Sequence, residues 1–256
     1  MSIFRITVLL ALSTFSLFAL TPKELAQKGQ ALGAGFDQSR SEMRMVLVSA
    51  TGQEAVRRIE GFTLEGPAGS TEAGDKTLVA FLEPADVKGV KFLSHERLDG
   101  PNHQWLYLPA LRRVKRISSS SKTGSFMGSE FSYEDIASRA VEKYDYPGSV
   151  TETAFEGETL LTYTRIPKEE DSGYTRQTVY VDPATSLVRY VQYYDRKEAL
   201  LKTAKYEGYQ NLQGVWRVGK ITMTNHQNGK STVMEYLRQE VKLSLPPQTF
   251  TKRALH

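Results

Sequence analysis

The chain has 256 residues, with 40% hydrophobic and 24% charged side chains, no cysteine and a formal net charge of +4. This composition is typical of a folded globular protein and excludes an intrinsically disordered chain. The absence of cysteine excludes disulfides and cysteine-ligated metal, and the small net charge argues against nucleic-acid binding.

The first residues predict an export signal. Residues 1–5 give a short positive start, residues 6–20 are almost wholly apolar, and Ala19 offers a cleavage position. The apolar run is shorter than the ~20 residues of a membrane-spanning helix and meets a helix cap directly. We therefore predict a cleaved signal peptide at residues 1–19 and a single soluble domain at residues 20–256.

A helix is predicted directly after the signal. Thr21 can act as N-cap, Pro22 suits the first turn, and Glu24 completes a capping box. Gly33 and Gly35 are predicted to end this helix. It is expected to pack on a sheet, and it is also a candidate to cover an open sheet edge or a cavity mouth.

From Ser41 onward the apolar pattern changes to the alternation of β-strands. Residues 78–82 are apolar on both faces, which predicts a cover on each side of the sheet. Asn228-Gly229 predicts a two-residue type I′ hairpin turn. Strands are predicted at residues 43–50, 56–65, 78–82, 90–93, 105–108, 114–117, 150–155, 159–166, 175–181, 187–195, 200–209, 215–225 and 231–237, and near Phe250.

These elements predict a mainly β protein with two or three short helices. The strands are expected to form one antiparallel sheet, strongly curved because so many twisted strands cannot remain flat. An apolar concave face in such a sheet must be filled by side chains or by a ligand.

The segment from Trp105 to Ile136 is richer in aromatic residues than a hairpin connection requires. A second capping box, from Ser132 to Asp135, predicts a short helix that ends near Val141. Met and Phe between glycines suit adaptable binding of an apolar ligand, although these side chains also suit a plain core. The candidate lid and cavity residues are Trp105, Tyr107, Phe126, Met127, Phe131 and Tyr133.

A basic run lies within this segment and comprises Arg112, Arg113, Lys115 and Arg116. A solvated hairpin is the usual explanation of such a charge run, and contact with an anionic lipid head group or an acidic partner is the alternative. Both interpretations remain open at this point.

No catalytic set is recognisable in the sequence. The four histidines have no HxH or HExxH spacing, and residues 124–128 place Phe126 where a serine-hydrolase elbow needs its nucleophile. Glu130, Glu134 and Asp135 are explained by helix capping and the helix dipole. We therefore expect no catalytic residue, no metal, no cofactor and no enzymatic activity.

Several motifs resemble the outer-membrane lipoprotein-sorting-like family, which is similar to the periplasmic LolA and LolB lipoprotein carriers of Gram-negative bacteria. They are PADVKGV at residues 84–90, WLYLP at 105–109, RRVKRI at 112–117, GSFMGS at 124–129 and FSYED at 131–135. The resemblance extends over nearly all of the chain after the signal. It implies an unclosed half-barrel antiparallel sheet, with helices as a lid over an apolar cavity.

The function expected from this resemblance is that of a soluble periplasmic carrier or chaperone, monomeric and without enzymatic activity. Its ligand would be a lipid, lipoprotein acyl chains or another hydrophobic molecule, and its partner an inner-membrane exporter or an outer-membrane acceptor. The alternative is an accessory module of a membrane exporter, with a filled core and no ligand. Under the carrier hypothesis, Phe126→Asp is expected to abolish ligand uptake without unfolding the chain.

Overall fold

A computed structural model describes residues 20–137 and 140–256, so the predicted signal peptide lies outside the described residues. The helices are α1 (Pro22–Leu32) and α2 (Tyr133–Ile136). The strands are β1 (Gln38–Val48), β2 (Glu54–Leu64), β3 (Ala73–Glu83), β4 (Lys91–Arg97), β5 (His103–Leu108), β6 (Arg113–Ile117), β7 (Tyr144–Asp145), β8 (Thr151–Phe155), β9 (Glu158–Pro167), β10 (Arg176–Val181), β11 (Val188–Tyr194), β12 (Leu200–Glu207), β13 (Gln210–Leu212), β14 (Val215–Arg217), β15 (Lys220–Asn225) and β16 (Ser231–Glu240).

Fourteen of these strands form one sheet in which neighbouring strands are antiparallel. The strand order is β6-β5-β4-β3-β2-β1-β16-β15-β12-β11-β10-β9-β7, with β8 also paired to β9. The β6 edge does not pair with the opposite edge, so the sheet is unclosed. The predicted mainly β class and the predicted unclosed antiparallel sheet are confirmed.

Helix α1 begins where the sequence predicts. The Thr21 hydroxyl accepts from the Glu24 amide at 3.3 Å, and the Glu24 carboxylate accepts from the Thr21 amide at 2.8 Å. Gly33 caps the other end. Leu25 and Ala26 are buried in the main core, which fixes the helix against the sheet.

Helix α2 also begins at its predicted cap, but it ends earlier than predicted. The Ser132 hydroxyl accepts from the Asp135 amide at 3.1 Å, and the Asp135 carboxylate accepts from the Ser132 amide at 2.7 Å, which completes the capping box. Ala137 is already extended, and residues 141–143 form a separate 3-10 turn. The Val141 amide donates to the Gln30 side chain of α1 at 2.9 Å, a partner that sequence pattern does not reveal.

The predicted type I′ turn at Asn228-Gly229 is wrong, because the loop between β15 and β16 spans residues 226–230. The Asn225 carboxamide oxygen accepts from the Gln227 amide at 2.9 Å, and the Gly229 amide donates to the Asn225 carbonyl at 3.1 Å. A genuine two-residue turn joins β13 and β14, where Gln213 and Gly214 both have positive φ, 53° and 91°. The predicted strand at residues 215–225 is accordingly divided between β14 and β15.

The strand predicted near Phe250 is also wrong. Residues 247–250 and 252–255 form two 3-10 helices that lie against β3 and β4. Leu255 packs with Leu78 and Leu93 on the outer face of the sheet. Strand β3 is therefore covered on both faces, as its sequence predicts, and the outer cover is this 3-10 segment.

Candidate ligand-binding face

Strand alternation determines which side chains reach the concave inner face. In β1, Met43 and Met45 are buried in the main core, whereas Arg44 between them is exposed. Further along the sheet, Val179 of β10 and Val191 of β11 contribute to the same core. The inner face is thus largely apolar and continuous from β5 to β9.

Part of this face is covered by residues 122–136, which we call the lid segment. Phe126 has only 1% of its surface exposed. Its ring centroid lies 5.7 Å from that of Phe81, 5.4 Å from that of Phe92 and 5.5 Å from that of Tyr133. Phe131 is buried in the same core, so the chain's own aromatic side chains fill this part of the face.

Two polar contacts fix the turn of the lid segment. Met127 and Gly128 both have positive φ, and the Phe126 amide donates to the Phe131 carbonyl at 2.7 Å. The Arg57 guanidinium, on the inner face of β2, donates to the Met127 carbonyl. Burial lowers the pKa of Arg57, as expected for a cation placed beneath a covering loop.

A buried ion pair anchors the other side of the lid segment to β12. Lys202 Nζ lies 2.5 Å from a carboxylate oxygen of Asp135, and the side chains are 5% and 1% exposed. Lys202 also donates to the Glu130 carbonyl at 2.9 Å, and the Tyr174 hydroxyl donates to Asp135 at 2.9 Å. Burial, and then the charge of Asp135, raise the pKa of Tyr174 well above its usual value, so this hydroxyl keeps its proton.

The sequence explains Asp135 as a helix cap but does not predict its partner Lys202. A usable signal is the register of β12, where Lys202, Ala204 and Tyr206 alternate on the inner face. A lysine at an inward position of an otherwise apolar strand face requires a buried counter-ion. The pattern therefore predicts an acidic partner for Lys202 but does not identify which carboxylate it is.

The six candidate lid and cavity residues do not share one face of the sheet. Trp105 packs with Leu78 and Leu93 on the outer face, where Lys252 Nζ lies 4.7 Å from its ring. Tyr107 belongs to the same outer cluster. The four residues on the inner side are Phe126, Met127, Phe131 and Tyr133. Ligand binding by any of the six stays a prediction.

The basic run is fully on the surface. All four of its side chains are exposed, and they lie at or beside β6, the strand at the open edge of the sheet. Arg113 and Lys115 share the inward side of that strand, and Arg116 points to the other side. Contact between this run and a head group or partner stays a prediction.

An open trough with a volume of about 370 Å³ lies on the inner face, where β1 begins and β16 ends. The space arises because the inward positions of β1 change from the large Met45 and Met43 to the small Ser41 and Ser39. None of the residues of this trough is among the candidates predicted from the sequence. Its apolar walls include Val179, Val191, Tyr206, Trp216, Tyr236 and Val241, and its polar side chains include Ser39, Ser41, Thr63, Arg165 and Arg217.

This architecture defines a class of proteins in which an unclosed antiparallel half-barrel carries a covering segment on its inner face. A putative outer membrane lipoprotein-sorting protein domain from Vibrio parahaemolyticus is 40% identical, and the match covers 91% of this chain and 97% of that chain with a TM-score of 0.84. A DUF1329 family protein from Desulfovibrio piger is 29% identical, with 92% and 98% covered and a TM-score of 0.84. The chain belongs to the outer membrane lipoprotein-sorting protein family, which confirms the resemblance seen in the sequence.

Other comparisons agree with the fold. A LolA superfamily protein from Nitrosomonas europaea is 20% identical, with 92% of this chain and 100% of that chain covered and a TM-score of 0.71. A family model described as "Uncharacterized protein" matches residues 73–256. A search of curated proteins gives no match. Within the described residues, no helix is both long and apolar enough to cross a membrane.

Proposed function

We propose that this protein is a non-enzymatic carrier that works in the periplasm after export and holds the acyl chains of a lipid or lipoprotein against its concave face. The observation that carries the proposal is the trough on that face, which the protein's own side chains leave open. Its volume of about 370 Å³ falls within the ~300–1,000 Å³ of small-molecule sites. Each methylene buried there would contribute about 0.8 kcal/mol before the costs of binding.

The lid segment extends this capacity. Phe126 and Phe131 occupy the apolar face in the structure, and the contacts that hold the segment include Arg57 with the Met127 carbonyl and Asp135 with Lys202. When a longer acyl chain enters the trough, it replaces these aromatic side chains and the lid segment lifts from the sheet. The predicted role of Phe126, Met127, Phe131 and Tyr133 is thus to close the face until a ligand arrives.

The two tryptophans of the chain allow a direct binding test. Trp216 lies in the trough and Trp105 lies on the outer face, so Trp105→Phe leaves Trp216 as the single reporter. Titration with a triacylated lipopeptide is expected to shift the Trp216 emission to shorter wavelength, because acyl chains displace water from the indole. The same peptide without acyl chains is expected to leave the emission unchanged.

A matched pair of variants shows where the ligand binds. Ser41→Phe places a ring in the trough and is expected to lower the affinity for the lipopeptide at least tenfold, a loss of about 1.4 kcal/mol. Ser120→Phe makes the same change at an exposed position outside the trough and is the control. An equal affinity for both variants, or no response to the acylated peptide at all, would contradict the proposal.

We propose that the partner of the carrier is an inner-membrane exporter or an outer-membrane acceptor. The basic run is proposed to contact anionic groups at the surface of that membrane. Reversal of Arg113, Lys115 and Arg116 to Glu is expected to abolish sedimentation with vesicles that contain phosphatidylglycerol, since each cation near an anionic surface contributes about 1 kcal/mol. Lys28, Lys197 and Lys230 are exposed cations elsewhere, and their reversal is the control. Unchanged sedimentation of the first variant would leave the basic run as a solvated edge.

The alternative is an accessory module of an exporter that binds no ligand. The close packing of Phe126 against Phe81 and Phe92 favours it, because that part of the concave face is filled. The lipopeptide titration distinguishes the two functions, because an accessory module without a ligand would show no change in Trp216 emission.

A further inference from the structure

Arg217 ends the short strand β14 and lies beside the trough. Its guanidinium carbon is 4.2 Å from the centre of the Phe36 ring, a stacked cation–π arrangement. Val215, two residues earlier on the same strand, packs with Phe36 and Val241. The apolar cluster therefore supports the guanidinium, and the side chain lies among the walls of the trough.

One nitrogen of this guanidinium, Nη2, is buried and has no hydrogen-bond partner. Arg217 forms no ion pair with any residue of the described ranges 20–137 and 140–256. Burial lowers the pKa of Arg217, but an arginine side chain keeps its charge at neutral pH. A buried charged donor without a partner is costly, and such groups in native proteins call for an explanation.

The charges around the trough leave room for an anion. A second guanidinium, that of Arg165, also lines it, with Nε donating to the Gln177 side chain at 2.8 Å. The carboxylate of Glu240 lies at the trough as well, but it is paired with Arg238 at 2.9 Å and with Arg40 at 3.7 Å. Glu240 is thus already paired, whereas Arg217 feels the carboxylates of Asp75 and Glu65 only as nearby charges.

We propose that the trough binds an amphiphile by its anionic end, a carboxylate or phosphate group that pairs with the Arg217 guanidinium while the apolar tail lies along Val179, Val191 and Trp216. The proposal rests on the carrier function above and gives its ligand a chemical class. A guanidinium with an unpartnered nitrogen suits these anions, because the planar group can donate to two of their oxygens at once. The lining of the trough combines apolar and polar side chains, which fits a molecule with one polar end.

The test compares three probes on the wild-type protein by calorimetric titration: decanoate, decanol and inorganic phosphate. Decanoate and decanol share the tail and differ in the charged end. We expect decanoate to bind about tenfold or more tightly than decanol, as a charge-assisted hydrogen bond would give, and inorganic phosphate to bind far more weakly than decanoate. This comparison requires no variant.

Substitution then assigns the effect to one residue. Arg217→Gln is expected to bind decanoate and decanol equally, and Arg217→Lys to retain part of the preference because it keeps the charge without the planar fork. Arg58→Gln, an exposed arginine on the outer side of β2, is the control and is expected to keep the full preference. Circular dichroism establishes that each variant is folded.

Each of the other outcomes would overturn a specific part of the proposal. Equal binding of decanoate and decanol by the wild type, or a full preference in folded Arg217→Gln, overturns the anion site while the carrier function stands. Inorganic phosphate that binds as tightly as decanoate reduces the site to an ion site and overturns the amphiphile. If neither decanoate nor decanol binds, the carrier function falls and this inference falls with it.

Discussion

Replacement of Phe126 by alanine is expected to lower the free energy of unfolding by about 3–5 kcal/mol. The side chain is 1% exposed and its ring contacts three other aromatic rings, so truncation removes buried area and leaves a cavity beneath the lid segment. Urea denaturation followed by circular dichroism measures the loss.

Leu111→Ala is the matched control, since Leu111 is a large apolar residue with 64% of its surface exposed. Its expected change is within about 0.5 kcal/mol, as for most surface substitutions. If Phe126→Ala were no more destabilising than this control, the lid segment would not be packed on the sheet as described.

The same burial changes an expectation that the sequence alone supports. The sequence predicts that Phe126→Asp abolishes ligand uptake without unfolding the chain, because Phe126 lies between glycines, where a rigid core is least expected. In the structure, a carboxylate at this position would be forced between Phe81 and Phe92, where a charge is strongly disfavoured. We now expect this variant to be destabilised at least as much as Phe126→Ala, so it does not separate binding from folding.

The second large effect concerns the buried pair of Asp135 and Lys202. Asp135→Asn and Lys202→Met are each expected to lower the free energy of unfolding by about 3–5 kcal/mol, because each removes one member of a buried, hydrogen-bonded ion pair. Amide hydrogen exchange is expected to accelerate first in the lid segment, which this pair ties to β12. Denaturation and exchange mass spectrometry on the same samples measure both effects.

The double variant Asp135→Asn/Lys202→Met distinguishes a lost pair from two unrelated defects. It is expected to cost clearly less than the sum of the single changes, since the double change removes both members of the pair together. Arg58 and Glu83 form an exposed pair, with side chains 54% and 60% exposed, and provide the control cycle with an expected coupling of about 0–1 kcal/mol. Additive losses at Asp135 and Lys202 would contradict a coupled buried pair.

Local sequence signals predict the structure most accurately. The capping boxes at Thr21 and Ser132 begin helices where predicted, since a cap depends on residues only three positions apart. Strand alternation gave the sheet for a similar reason. The turn at Asn228-Gly229 was mispredicted because the Asn225 side chain binds the loop backbone and favours a longer connection.

Which side of a strand faces the cavity was harder to predict. In β5, Trp105 and Tyr107 alternate with Leu106 and Leu108, so both sides are apolar and composition does not distinguish them. The distinction comes from Leu255, which is 150 residues away along the chain and covers the outer side. The trough is not predictable from the sequence, because it is formed where small residues such as Ser39 and Ser41 leave space and no side chain signals a site.

The central claim, that the concave face holds a hydrophobic ligand, is tested most directly by native mass spectrometry of the protein purified from cells, with organic extraction of the same sample. We predict a population whose added mass lies in the lipid range and is recovered as lipid in the extract. A single clean mass for the chain alone, with no lipid extracted, would contradict the claim.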